Sequence, residues 1–241
     1  VIELLAVETG LPLTEARNHF EAQANRDGLV EVSGQLRTLA YGLMKISNDI
    51  RWMGSGPNTG LGELHIPDLQ PGSSIMPGKV NPVICEATIQ VAAQVIGNDA
   101  TIALSSTNGA FELNVGIPVM AANLLQSIRL LANAAKTLRE KCVTGITANQ
   151  DVCEAYVTNS IGIVTYLNPV IGHHNGDLVG RECACSGRSV REVVLEMGLL
   201  EESVLDEILS PENLLRPHFR DLNVYSGSDP STPPVVSAAP D

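Results

Sequence analysis

Gly28-Leu-Val-Glu-Val-Ser-Gly-Gln-Leu-Arg-Thr-Leu-Ala-Tyr-Gly-Leu-Met-Lys-Ile-Ser-Asn-Asp-Ile-Arg-Trp-Met53 carries the clearest periodicity in the chain. Its apolar side chains fall at Leu29, Val32, Leu36, Leu39, Leu43, Ile46, Ile50 and Met53, at spacings that alternate three and four. That alternation holds one stripe of a helix against a neighbour, so the stretch predicts a long helix packed nearly parallel to others. Gly54, Gly56 and Pro57 end it.

Two further segments repeat the signal. Residues 83 to 104 are apolar on nearly all sides, with Glu86 and Asp99 as their charges, as expected of a helix buried within a bundle. Residues 117 to 142 form a second seam at Ile117, Ala121, Leu124, Ile128, Leu131, Ala135, Leu138 and Cys142, and Pro118 sits where a first helical turn tolerates it. With no convincing alternating strands, three long helices predict an all-α fold: a long-helix bundle over residues 1–148 with a small helical domain over 149–220. In that small domain Ser189 and Glu192 form a capping box opening a helix that Gly198 closes, and a short helix over 201–209 stops at Pro211. The tail over 221–241 has no hydrophobic period and is expected to be disordered.

Composition agrees with helices and narrows the partners. Of 241 residues 44% are hydrophobic and only 3% aromatic, and small aliphatic side chains let helices approach closely. A formal net charge of −12 repels phosphates and anionic lipid, so neither nucleic acid nor a membrane is an expected partner. No run of 18 apolar residues and no basic leader is present. The five scattered cysteines read as free thiols of a reducing cytoplasm.

Between the first two helices, residues 57–82 break every periodicity and are rich in Gly and Pro, as functional loops of this length are. Within it lies Gly72-Ser-Ser-Ile-Met-Pro-Gly-Lys-Val-Asn-Pro82. Its glycines let backbone amides converge on an anion; Ser73 and Ser74 add hydroxyls, Lys79 a positive charge and Asn81 a neutral donor. It is not a nucleotide phosphate loop: five residues separate Gly72 from Gly78, Val80 follows Lys79 where Ser or Thr is needed, and no strand precedes it. Composition alone leaves an ordinary surface loop open.

The pattern Gly-Ser-Ser-x-Met-Pro-x-Lys-x-Asn-Pro resembles the signature of the fumarase/aspartase superfamily, and Ile75, Gly78 and Val80 resemble its fumarase and aspartase branches. The resemblance implies a lyase acting on fumarate. Ser73 would be the general base that removes the Cβ proton, and Ser74, Lys79 and Asn81 would bind a substrate carboxylate. Glu86 resembles a glutamate that pairs with a histidine of another subunit; a helix N-terminal acid favoured by the dipole is the other reading, and both can hold. A dianionic substrate on an acidic protein then requires local donors in a water-excluded site. The family implies a homotetramer with active sites shared between subunits, a small dicarboxylate substrate (fumarate and malate, or aspartate), a cytoplasmic location, and neither cofactor nor metal. His173 and His174 lack a ligand partner at metal spacing, and His19 and His65 are expected to make local hydrogen bonds.

Neighbouring motifs divide. Residues 18–27 and 109–115 resemble fumarases, whereas 145–149, 159–165 and 171–177 resemble bacterial aspartases. Hydration of fumarate to (S)-malate is the leading expectation, elimination of ammonia from L-aspartate the second, and a non-catalytic oligomerising fragment the third. None of the five histidines follows a threonine, so the family's Thr-His motif is missing. The first residue is not Met, and the resemblance covers only the second half of a family chain, so about half the protein is expected to lie elsewhere.

Overall fold

The computed structural model describes residues 1–217; the tail expected over 221–241 lies outside the described residues. The fold is all-α, a bundle of long helices followed by a small helical unit. By its contacts the chain divides into one unit over Val1–Asn149 and a second beginning at Gln150.

In the first unit, two short helices, α1 (Ile2–Thr9) and α2 (His19–Ala24), precede α3 (Asp27–Met53). Asn18 caps α2 by accepting from the amides of Phe20 and Glu21. After the loop, which carries strand β1 (Leu64–His65), α4 runs over Val83–Ser106. A two-residue hairpin, β2 (Gly109–Ala110) with β3 (Leu113–Asn114), leads into α5 (Ile117–Lys141), with Pro118 in its first turn. A 3₁₀ turn (Val143–Gly145) then delivers β4 (Thr147–Ala148) back onto β1, Leu64 opposite Ala148 and His65 opposite Thr147.

Helix α4 packs between α3 and α5 and runs antiparallel to both. Ser33 on α3 meets Asp99 while Ile50 shares a cluster with Cys85, and Asn98 meets Ser127 on α5 while Cys85 meets Cys142. The contact line differs from the predicted seam. On α3 the buried residues are Ser33, Ala40, Ser47 and Ile50, flanked by Leu36 and Leu43. Val32, Leu39 and Ile46 stand on the flank, about half exposed. On α5 Met120, Ser127 and Ala134 take the place expected of Ile117, Ile128 and Ala135, while Leu131 and Leu138 are buried as the period requires. Ser33, Ala40, Ser47, Ser127 and Ala134 take central places because close approach needs a small side chain at the contact, which an apolar count does not register. Helix α4 likewise buries only part of its surface in the single chain: Gln90, Ala93, Gln94, Gly97, Ala100 and Leu104 are open.

Polar groups set the register of these helices. Asp99, buried, accepts from Ser33 Oγ and Arg37 Nη1, each at 2.7 Å. Asn98 Nδ2 donates to Gln126 Oε1 (2.9 Å) and Ser127 Oγ (3.0 Å), and Gln94 Nε2 donates to Asn98 Oδ1 (2.8 Å). A slip by one turn would strand a buried carboxylate and a buried amide without these partners, a cost of about 1–3 kcal/mol each.

The second unit contains α6 (Gln150–Thr158), a 3₁₀ turn (Ile161–Tyr166), α7 (Asn168–Ile171), α8 (His173–Ser186), α9 (Val190–Glu196), α10 (Glu202–Ile208) and α11 (Pro211–Leu215). The Ser189–Glu192 capping box forms as expected. Pro211 does more than stop α10: it opens α11, which Ser210 caps. Large aliphatic side chains, among them Leu167, Ile171, Val179, Val193, Leu205 and Ile208, make one core here.

Candidate active site

The Gly72–Asn81 loop is closed on itself. Pro71 and Val80 form an antiparallel bridge, and the Gly72 amide donates to the Lys79 carbonyl at 2.6 Å. Asn81 Nδ2 donates to the Gly72 carbonyl at 3.3 Å. This closure explains Gly72: a Cβ there would lie 2.9 Å from the Asn81 side chain. Gly78, at φ 77°, supplies the left-handed turn before Lys79. The foot of the loop is anchored by β1 on β4 and by Asn149, whose amide donates to the Glu63 carbonyl at 2.9 Å.

Within the loop Ser73 is half-buried and its Oγ accepts from the amides of Ile75 and Met76, each at 3.2 Å. Two peptide dipoles therefore point at the hydroxyl oxygen, an arrangement that favours negative charge there. Ser74 and Lys79 are exposed, and Lys79 enters no ion pair among the described residues. Asn81 is half-buried; with one amide hydrogen committed to Gly72, its second is free to donate. Glu86 is half-buried in the first turn of α4, its amide bonded to the Pro82 carbonyl. The structure thus gathers Ser73, Ser74, Lys79 and Asn81 on one closed loop and hangs Glu86 from the helix that follows. It does not join Ser73 to Lys79 by any described hydrogen bond.

The chain leaves this loop open. Ile75 at the tip is 85% exposed, and Met76 and Val80 are a little under half exposed. A shallow cleft lies at the loop's foot, lined by residues including Ile66, Pro67, Pro82, Cys85 and Cys142, and does not reach Ser73. The water-excluded surroundings expected of a dianion site are not built by the described residues of this chain.

Other expectations resolve locally. His19 lies 3.0 Å from the Glu15 carboxylate, both exposed. His173 and His174 open α8 on the surface, and no cluster able to hold a metal occurs among the described residues. Among them, too, no helix is long and apolar enough to cross a membrane. Asn114 fixes the junction of α4 and α5: its Nδ2 donates to the Ser105 and Ser106 carbonyls and its Oδ1 accepts from the Gly116 amide. Glu112 is exposed. Missing from the sequence reading were the Ile75 and Met76 amides at Ser73; a serine two and three residues before them is the signal of such a turn.

Residues 1–97 match the family described as Lyase, and residues 163–216 match Fumarase C C-terminus. Aspartate ammonia-lyase of Escherichia coli strain K12 is 52% identical over 219 residues, covering 91% of this chain and 46% of the relative. Fumarate hydratase class II of Mycobacterium tuberculosis strain H37Rv is 53% identical over 210 residues, covering 87% of this chain and 44% of the relative. Among solved structures, fumarate lyase:delta crystallin from Brucella melitensis bound to cobalt superposes with a TM-score of 0.84 at 42% identity, covering 90% of this chain and 47% of that one. The chain belongs to the fumarase/aspartase superfamily of lyases. It spans about half the length of the curated relatives it matches, and the two branches match it at nearly equal identity.

Proposed function

We propose that this chain carries the base loop of a lyase that reversibly hydrates fumarate to (S)-malate. The observation that carries this reading is the Ser73 oxygen held by two backbone amides inside a closed loop. A serine hydroxyl becomes a base only when its alkoxide is stabilised, and those amides together with a neighbouring lysine supply that stabilisation. Ser73 takes the Cβ proton of malate, and the electron pair left on carbon delocalises onto the adjacent carboxylate. The pair then returns to form the C=C bond of fumarate as the neighbouring C–O bond breaks and hydroxide departs. Lys79, Asn81 and Ser74 grip that carboxylate, more strongly as its charge grows, which lowers the barrier. Glu86 supports the site from α4, paired with a histidine of a neighbouring subunit. The open loop is completed by segments outside this chain, in a cytoplasmic homotetramer that serves the tricarboxylic acid cycle.

A second reading, elimination of ammonia from L-aspartate by the same base and grip, is favoured by the 52% identity to an aspartate ammonia-lyase. Assaying the assembled protein with malate and with aspartate separates the two. Turnover of aspartate alone overturns the first. Turnover of neither, in a protein that assembles, supports a non-catalytic oligomerising role. In the assembled enzyme Ser73→Ala is expected to lower kcat by about 10²–10⁴-fold with the fold retained, since general-base catalysis is of that size.

A further inference from the structure

The start of α4 and the end of α5 bring two cysteines together. Cys85 and Cys142 are completely buried, and their Sγ atoms lie 3.7 Å apart. Ile50 and Leu138 share their cluster, with Met53, Ile66, Ile84 and Ile146 packed against it. Neither thiol has a part in the loop chemistry above, yet both stand at the loop's foundations. Cys85 lies on the turn that carries Glu86, three residues after Pro82 closes the loop. Cys142 ends α5 and leads to β4, the strand that holds β1.

We propose that Cys85 and Cys142 are a dithiol modification site that hydrogen peroxide oxidises to an intrachain disulfide across the base of the Gly72–Asn81 loop. A disulfide needs its sulfurs about 2.0 Å apart, so the pair must close by about 1.7 Å, a distance that rotation about the Cα–Cβ bonds can cover. A cleft lined by Ile66, Pro67, Leu69, Pro82 and Lys141 lies against both cysteines, and since both are fully buried, peroxide reaches their sulfurs through local opening of the fold. Burial pushes the Cys85 thiol up to about 12, with further upward contributions from Cys142 and Glu86 and a downward one from Arg51. Burial also raises Cys142, but there the hydrogen bond with Cys85 opposes the rise.

The Cys142 thiolate attacks one peroxide oxygen; the O–O bond breaks, hydroxide leaves and is protonated to water, and Cys142 becomes a sulfenic acid. The Cys85 sulfur then attacks the Cys142 sulfur; the S–O bond breaks, and the hydroxyl leaves with the Cys85 proton as a second water. Two electrons pass from the sulfur pair to the peroxide, and both bonds balance. High thiol pKa values make the first step slow, so exposed Cys185 is consumed sooner.

The test treats the full chain with graded hydrogen peroxide, alkylates remaining thiols under denaturation, and maps unreduced peptides by mass spectrometry. The expected result is a Cys85–Cys142 peptide in most molecules, reversed by dithiothreitol, and a melting temperature higher for the oxidised chain than for the reduced one. Cys142→Ser is expected to leave Cys85 fully alkylatable and to abolish the rise in melting temperature; should that variant not fold, the wild-type map decides. Recovery of Cys85 and Cys142 as separate alkylated peptides after Cys185 has been consumed overturns the proposal, as does linkage of either to another cysteine. The readout needs no turnover, so its failure is distinct from failure of the lyase reading.

Discussion

The two units of this chain differ in what they bury beside their aliphatic side chains: among the described residues the buried polar groups all lie in the first unit. From Gln150 onward, large aliphatic side chains are inside: Leu167, Val170, Val179, Val193, Leu205 and Ile208 are all completely buried in one cluster. In the helical bundle Ser33, Ala40, Ser47, Ala92, Asn98, Asp99, Ser127 and Ala134 are buried beside Ile50, Val95, Ile102, Met120, Leu131 and Leu138, while Val32, Leu39, Ile46, Trp52, Leu104 and Leu125 face outward. A small unit with large aliphatics inside supplies its own driving force, at roughly 25 cal/mol per Å² of apolar surface removed from water. A bundle that mixes small and polar groups with large apolar ones inside, and leaves Leu39, Leu104 and Leu125 on its flanks, is shaped for specific helix register. Composition alone would not have distinguished the two units, since both are rich in Val, Ile and Leu.

The sharpest way to break this contrast is to truncate one leucine in each unit. Leu205→Ala removes a completely buried side chain from a single core and is expected to cost about 2–5 kcal/mol, read by chemical denaturation. Leu39, 51% exposed, is expected to cost under about 0.5 kcal/mol when changed to Ala in the isolated chain. Equal losses would erase the distinction. A smaller effect tests register. Arg37→Ala leaves the Asp99 carboxylate buried with only Ser33, at an expected cost of about 1 kcal/mol, held down because Arg37 is itself 48% exposed. No loss there would mean the Asp99 network does not hold the bundle in line.

The next effect belongs to the small unit. Ser189→Ala removes the hydroxyl half of a capping box, leaving the residue-189 amide to donate to Glu192, and is expected to cost about 1 kcal/mol in thermal or denaturant unfolding. Its partner gives a pH signature. The Ser189 amide and hydroxyl hold the Glu192 carboxyl below its ordinary range, chiefly by hydrogen bonds to the ionised form. A depressed folded value means this contribution is fully present above the ordinary carboxylate range and disappears as pH falls through the folded value. Glu192→Gln is therefore expected to flatten the acid limb of the small unit's stability profile, and an unchanged limb would remove Glu192 from the account.

How far the chain could be read in advance follows from the range of each interaction. Helix extents were legible because caps and breakers act within one turn: Gly54 after α3, Pro118 opening α5, and Ser189 with Glu192 all act where local chemistry places them. The side of each helix that packs was less legible. Counting apolar residues chose Val32, Leu39 and Ile46, whereas close approach to α4 selected Ser33, Ala40 and Ser47. At the candidate site, the residue types of the loop were legible, but not the Gly72–Asn81 closure or the two amides on Ser73, which depend on how the loop folds back.

By itself, then, the sequence determined the helical class, the three long helices, the capping of the small unit and the loop that places the chain among fumarase/aspartase lyases. Periodicity, caps and a fixed-spacing motif are local, and local signals survive in one dimension. Tertiary structure alone decided which helix faces meet, that Asp99 and Asn98 are buried with partners, and that Cys85 touches Cys142 although the two are 57 residues apart in sequence. Those outcomes come from the close packing of α4 against α3 and α5, where side-chain size at the contact outweighs apolar character.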